Sequence, residues 1–131
     1  MAHAWNLGIG SDFTSIFAYY LATPTNLLVY FCPENLIIEF MTFFILIKIG
    51  RCGFSFAYYL RERFDTTSGM VLGFSTMYAM SGFVAAYNWN PMWLEVIWLA
   101  PLVLLGLERI VKQGRVTLYV VTLTASIFTN Y

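Results

Sequence analysis

The stretch Asn88–Arg115, "NWNPMWLEVIWLAPLVLLGLERIVKQGR", decides the fold class. Its centre, Met92–Leu107, is apolar except for one carboxylate, Glu95, close to its start. The pair Asn90–Pro91 predicts the beginning of a helix, because asparagine is a common N-cap and proline is favoured at the first helical position. The stretch therefore predicts a membrane-spanning helix that enters behind a turn rich in aromatic and amide side chains and leaves at a basic segment.

The composition of the whole chain points to lipid surroundings. Hydrophobic residues make up 60% of the 131 residues and charged residues 11%, against about 25% charged residues in soluble domains. A domain of this size leaves much of its surface exposed, and so few charges cannot cover it. We expect an all-α fold, a polytopic transmembrane helical bundle; a very apolar soluble bundle is the alternative. The net charge of zero gives no reason to expect a nucleic-acid partner.

About four spans are predicted, preceded by an outer-face segment. Residues 1–33 contain Asp12 and Pro24, which interrupt any long uncharged run, so we expect a loop with short interfacial helices there. The first span, at about 1.5 Å per residue, reaches nearly 40 Å, against roughly 30 Å of hydrocarbon. The predicted transmembrane helices cover approximately residues 35–60, 68–87, 92–108 and 116–131.

The basic residues of the connectors predict the orientation. Residues 61–67 and 109–115 carry Lys or Arg, whereas the turn 87–91 carries none. By the positive-inside rule the basic connectors are cytoplasmic, and residues 87–91 and 1–33 lie outside. No basic leader starts the chain, so we expect a fragment of a larger membrane domain whose other helices are its partners. A complete protein whose short N-terminal tail crosses unaided is the alternative.

Two cations in the first span are candidates for binding an anion. Lys48 and Arg51 are three residues apart, which predicts that they share a helix face. Charges within a membrane helix are costly and often functional, so we expect them to hold a lipid phosphate or a partner carboxylate. The alternatives are a structural ion pair inside the bundle and a shorter span that places Arg51 at the cytoplasmic boundary.

Glu95 has two interpretations of its own. A carboxylate near a helix N-terminus is stabilised by the helix dipole, which would make Glu95 purely structural. Alternatively, Glu95 and Asn88 could bind sugar hydroxyls beside an aromatic wall that includes Trp93. Asp12, in "GIGSDF", is an outer-face acid that could contact a ligand or simply be solvated.

The sequence gives no motif for a metal, a nucleotide or a catalytic triad. Cys32 and Cys52 belong to no CxxC or Cys/His cluster, so we expect no metal site and no evident cofactor. The catalytic residues are unknown at this stage. The same polar residues in apolar helices are compatible with a transporter, in which Lys48 and Glu39 would line a path, or with a non-catalytic membrane scaffold.

Three motifs, in order, resemble the YfhO family of bacterial multi-pass membrane proteins. They are "YYLATPTNLLVYFCPE" at 19–34, "IKIGRCGFSFAYYL" at 47–60 and "MYAMSGFVAAYNWNPMWLEVIWLAPLVLLGLERI" at 77–110. Lys48 keeps the family pattern. Glu95 stands where aspartate is more usual, and Arg51 where a small or apolar residue is expected.

The resemblance implies a GT-C-type glycosyltransferase in a bacterial plasma membrane. Such enzymes transfer a sugar from a polyprenyl-phosphate carrier to a cell-envelope acceptor on the outer face. In that architecture a first span and an acidic motif in a large outer loop would precede this chain. The lipid-linked sugar would be the donor, and the fragment would be inactive alone.

Overall fold

The computed structural model describes residues 3–4, 11–12 and 32–129 of the chain. Two short antiparallel strands, β1 (His3–Ala4) and β2 (Ser11–Asp12), pair His3 with Asp12. The prediction of interfacial helices in residues 1–33 otherwise lies outside the described residues. From residue 37 onward the described elements are helical, as the all-α prediction requires: α1 (Ile37–Phe64), α2 (Gly69–Ala79), α3 (Gly82–Tyr87), α4 (Pro91–Gln113) and α5 (Thr117–Thr129).

The helix α1 turns one narrow stripe towards the bundle. It is 28 residues long and follows directly on a 3-10 turn, Glu34–Leu36. Its buried side chains, four or three residues apart, fall on one face of a helix. The helix ends at Asp65, which has a left-handed backbone with φ of 47°. The buried stripe consists of Phe44, Lys48, Cys52 and Ser55.

The predicted span 68–87 is two helices in the structure. Ser68 is the N-cap of α2, and its hydroxyl accepts a hydrogen bond from the Met70 N–H at 3.3 Å. The helix stops at Met80, and Ser81 is extended, with ψ of 154°, before α3 begins. Serine and glycine are common at sharp helix interruptions, and "SG" at 81–82 is the local cause that the apolar pattern concealed.

The helix α4 begins at Pro91, as predicted, and extends five residues beyond its predicted end. It stops before Gly114, whose φ of 66° favours glycine. The helix α5 packs tightly against α4. A Cβ added to Gly106 would lie 2.7 Å from both the backbone N and the Cα of Tyr119. Glycine at position 106 is therefore what lets the two backbones approach.

The helices α1 and α4 run parallel in a fixed register. Lys48 pairs with Glu95, and Glu62 pairs with Arg109, which is 47 positions later. Lys48 and Glu95 are also 47 positions apart. Two contacts with the same sequence separation mean that both helices advance in the same direction, so they are parallel. Pro91 is thus level with Phe44, and the first two turns of α1 project beyond α4.

Length and composition identify one membrane-span candidate among the described residues, Gly69–Tyr87, which includes the interruption at Ser81. The helix α5 is apolar but shorter, and α1 and α4 carry charges within their apolar stretches. The count of four spans therefore stays a prediction.

A buried ion pair and an exposed arginine in the candidate site

Lys48 and Glu95 form an ion pair in the interior of the bundle. The Lys48 Nζ lies 2.9 Å from the Glu95 Oε1, and the two residues are 0% and 1% exposed. An isolated charge at such a site would carry a large desolvation cost, so each of these residues requires the other. The pair therefore joins α1 to the second turn of α4.

Two aromatic side chains also contact the pair. The indole N–H of Trp98 donates a hydrogen bond to the Glu95 Oε2. The Lys48 Nζ lies 4.5 Å from the ring centroid of Phe44, a cation–π distance. Each carboxylate oxygen of Glu95 thus has a donor, and the side chain is held in one position.

The interpretation of Glu95 as a first-turn carboxylate is wrong. The helix α4 begins at Pro91, and its first turn contains no acid. Glu95 is the fifth residue, beyond the range in which the unpaired N–H groups of a helix start act strongly. An ion pair inside the bundle, the structural alternative considered for Lys48, is the arrangement that the structure contains.

Arg51 lies one turn beyond Lys48 on α1 but outside the buried stripe. Its side chain is exposed, and its guanidinium carbon lies 5.8 Å from the centroid of the Trp98 ring. Three residues turn a helix by about 300°, so Lys48 and Arg51 lie about 60° apart around α1. Lys48 is within the buried stripe, whereas Arg51 is exposed beside it. Within 32–129, no carboxylate lies within ion-pair distance of Arg51.

The turn at residues 87–91 places Trp93 in an aromatic cluster, defined here as Phe83, Tyr87, Trp89 and Trp93. Ring centroids in it lie 4.8 Å apart for Phe83 and Tyr87 and 5.2 Å apart for Tyr87 and Trp93. The Asn88 side-chain amide donates to the Ala85 carbonyl at 3.2 Å, near the end of α3. Asn90 is buried, but its side chain does not cap α4.

Asp12 lies on β2 opposite His3, and its side chain is outside the described residues. In the described part of the chain, no group of three His, Cys, Asp or Glu residues could hold a metal ion. The ligand roles predicted for Asp12, Asn88 and Trp93 stay predictions.

A second polar layer, which sequence reasoning missed, lies at the other end of α1 and α4. The Tyr59 hydroxyl and the Arg63 Nη1 each donate to Glu108 at 3.0 Å. The Arg109 Nη2 donates to Glu62 at 2.9 Å and to the Tyr58 hydroxyl at 3.4 Å. The partners lie 45 to 51 positions apart, so only the parallel register of the helices reveals them.

A family model described as bacterial membrane protein YfhO matches residues 1–131. The chain belongs to the YfhO family. No curated protein and no solved structure shows significant similarity to it. As a YfhO-family member the chain is a bacterial membrane protein, which agrees with its apolar composition.

Proposed function

We propose that this YfhO-family chain forms part of a membrane glycosyltransferase. The enzyme would transfer a sugar from a polyprenyl-phosphate carrier to a cell-envelope acceptor on the outer face. Membership of a family of bacterial membrane proteins supports a membrane-embedded activity, and the resemblance described above supplies the reaction type.

The observation that carries the proposal is the position of Arg51. Its guanidinium is exposed on an apolar helix, stacks near Trp98 and has no carboxylate partner in residues 32–129. A cation facing the membrane needs an anion or water. Guanidinium groups bind phosphate oxygens through two parallel hydrogen bonds, so the phosphate of a lipid carrier fits this position.

The depth of Arg51 also suits a lipid-linked phosphate. In the α1–α4 register Arg51 is level with Trp98, seven residues into α4. That places its Cα about 10 Å below the helix start at Pro91. A long arginine side chain can extend from this depth towards the headgroups, where the phosphate of a membrane-anchored donor lies.

The ion pair and the outer turn have separate roles in this proposal. Lys48 and Glu95 are closed to substrate and hold Trp98, against which Arg51 rests. They are positioning residues. Asp12, Asn88 and Trp93 remain the candidates for contacting the sugar, and no described residue is assigned as the catalytic base.

The test is sugar transfer by the full-length protein reconstituted in proteoliposomes with a polyprenyl-phosphate-linked sugar. Arg51→Gln should raise the KM for the donor by about 10-fold or more, because a hydrogen-bonded charge is lost. Arg61→Gln is the matched control, because Arg61 is an exposed arginine ten residues further along the same helix. It should leave the KM unchanged.

Other outcomes would point elsewhere. Uptake of a solute into the vesicles without transfer would replace the enzyme by a transporter. Normal transfer by the Arg51→Gln variant would remove the phosphate-binding role from Arg51. Absence of both transfer and uptake in an intact, folded protein would favour a membrane scaffold.

A further inference from the structure

A cavity at the basic end of the bundle combines charged and apolar walls. The basic end is defined here as residues 58–66 and 108–117, where α1 and α4 finish and α5 begins. The cavity has a volume of about 420 Å³ and lies between α4 and α5. Its lining residues are Arg109, Arg115, Thr117, Leu118 and Val121.

The polar wall carries positive charge that the protein does not neutralise completely. Arg115 is exposed, and no carboxylate of the described residues lies within ion-pair distance of it. Arg109 is held in place by Glu62, and hydrogen bonds to Glu62 and then to Tyr58 raise the pKa of Arg109. Both guanidinium groups therefore stay charged beside the Thr117 hydroxyl.

The nearby carboxylates already have cationic partners. Glu62 binds Arg109, and Glu108 binds Arg63 at 3.0 Å and Lys112 at 3.7 Å. An ammonium headgroup would therefore find no available acid among the cavity residues, whereas a phosphate would find a guanidinium. The charge of the cavity thus favours an anion over a zwitterion.

The opposite wall is apolar and continues along the outside of the bundle. Leu118 and Val121 are three residues apart on α5 and both line the cavity, and Val121 is 60% exposed. In a membrane protein this surface meets acyl chains, not water. A soluble phosphate would use only the arginine side of the cavity, whereas a phospholipid would fill both sides.

We propose that this cavity binds an anionic phospholipid of the adjacent leaflet. The lipid phosphate lies between Arg115 and Arg109 with the Thr117 hydroxyl as a further donor, and one acyl chain follows Leu118 and Val121. Basic pockets between membrane helices commonly select anionic headgroups in this way. This site is independent of the proposed sugar transfer. It lies at the C-terminal end of α4, whereas Arg51 of α1 lies beside Trp98, near the N-terminal end of α4.

A neighbouring cleft provides the comparison. It is lined by Arg61 together with two acids, Glu62 and Asp65, and has a volume of about 300 Å³. Its acids oppose binding of a phosphate. Arg61→Gln therefore removes the same charge from the same end of the bundle without touching the proposed lipid site.

The test is native mass spectrometry of the full-length protein in detergent, with phosphatidylglycerol or phosphatidylcholine added at matched concentrations. We expect preferential retention of phosphatidylglycerol, and an approximately fivefold loss of that retention for Arg115→Gln. Arg61→Gln should keep the wild-type retention. Glycerol phosphate in excess should fail to displace the lipid, because it lacks the acyl chain.

Three results would overturn the proposal. They are equal retention of the two lipids, an equal loss for Arg115→Gln and Arg61→Gln, and displacement of the lipid by glycerol phosphate. Thermal unfolding of both variants serves as the folding check. Arg115 is exposed and follows the helix end at Gly114, so its replacement should leave the unfolding temperature unchanged.

Discussion

Trp98 connects the buried charges to the exposed one. Its indole N–H binds Glu95, which pairs with Lys48, and the Arg51 guanidinium lies over the indole ring. One side chain therefore satisfies a buried carboxylate and positions a surface cation. Such buried networks are stable only when every member keeps its partners.

Removal of the Trp98 N–H tests this link. Trp98→Phe should lower the free energy of unfolding by about 1.5–3 kcal/mol, because a buried charged acceptor loses a donor. Trp93→Phe is the control, since Trp93 makes ring contacts in the aromatic cluster, and its loss should be smaller. Denaturant titration of both variants in micelles measures the difference; equal losses would show that the hydrogen bond contributes little.

The sequence identifies three charges within apolar helices but does not predict how they are arranged. Lys48, Arg51 and Glu95 are recognisable as charges within apolar helices. The Lys48–Glu95 ion pair is not recognisable, because it depends on how two helices 47 positions apart are aligned. The exposure of Arg51 is not recognisable either, because it depends on how wide the buried stripe of α1 is. The same limitation explains why Glu108 and Tyr59 were missed.

At the scale of the helices, apolar runs predicted where helices occur better than they predicted where each helix begins and ends. The runs located α1, α4 and α5, but α4 continues to Gln113 through charged residues that a membrane pattern excludes. The interruption at Ser81 was concealed because both flanking helices are equally apolar. Small residues also differ in role: Gly53 and Gly106 lie at helix contacts, whereas Gly73 faces open space.

Those glycine differences give a paired prediction. Gly106→Ala should destabilise the protein by about 1–3 kcal/mol, because the new methyl would collide with the backbone of Tyr119. Gly73→Ala should be neutral or stabilising by up to about 1 kcal/mol, because alanine is the better helix former and no atom lies within 4 Å. Unfolding free energies of the two variants provide the measurement, and equal effects would contradict the close packing of α4 and α5.

At the scale of the whole molecule, an apolar region separates two polar layers, one at Glu95 and one at Glu108. Glu95 and Glu108 are 13 residues apart on α4, which corresponds to about 20 Å along the helix. A hydrocarbon core of roughly 30 Å would therefore place each layer about 5 Å inside one boundary. The charged side chains can then reach the headgroups or pair with one another.

The predicted orientation rests on the basic connectors and can be tested by labelling. In a background lacking Cys32 and Cys52, Trp89→Cys should react with a membrane-impermeant maleimide in intact cells, since Trp89 is 67% exposed in the turn that is predicted to lie outside. Thr67→Cys, in the basic connector after α1, should react only after lysis. The reverse pattern would invert the topology.

The buried ion pair is the central claim, and a double-mutant cycle of the full-length protein in micelles tests it most directly. Lys48→Met and Glu95→Met should each lower the free energy of unfolding by about 3–5 kcal/mol, because each leaves the other charge buried without its partner. The double variant should lose much less than the sum, because neither charge remains. Losses that add to within about 0.5 kcal/mol would mean that the two residues do not interact, and would contradict the pairing of α1 with α4 described here.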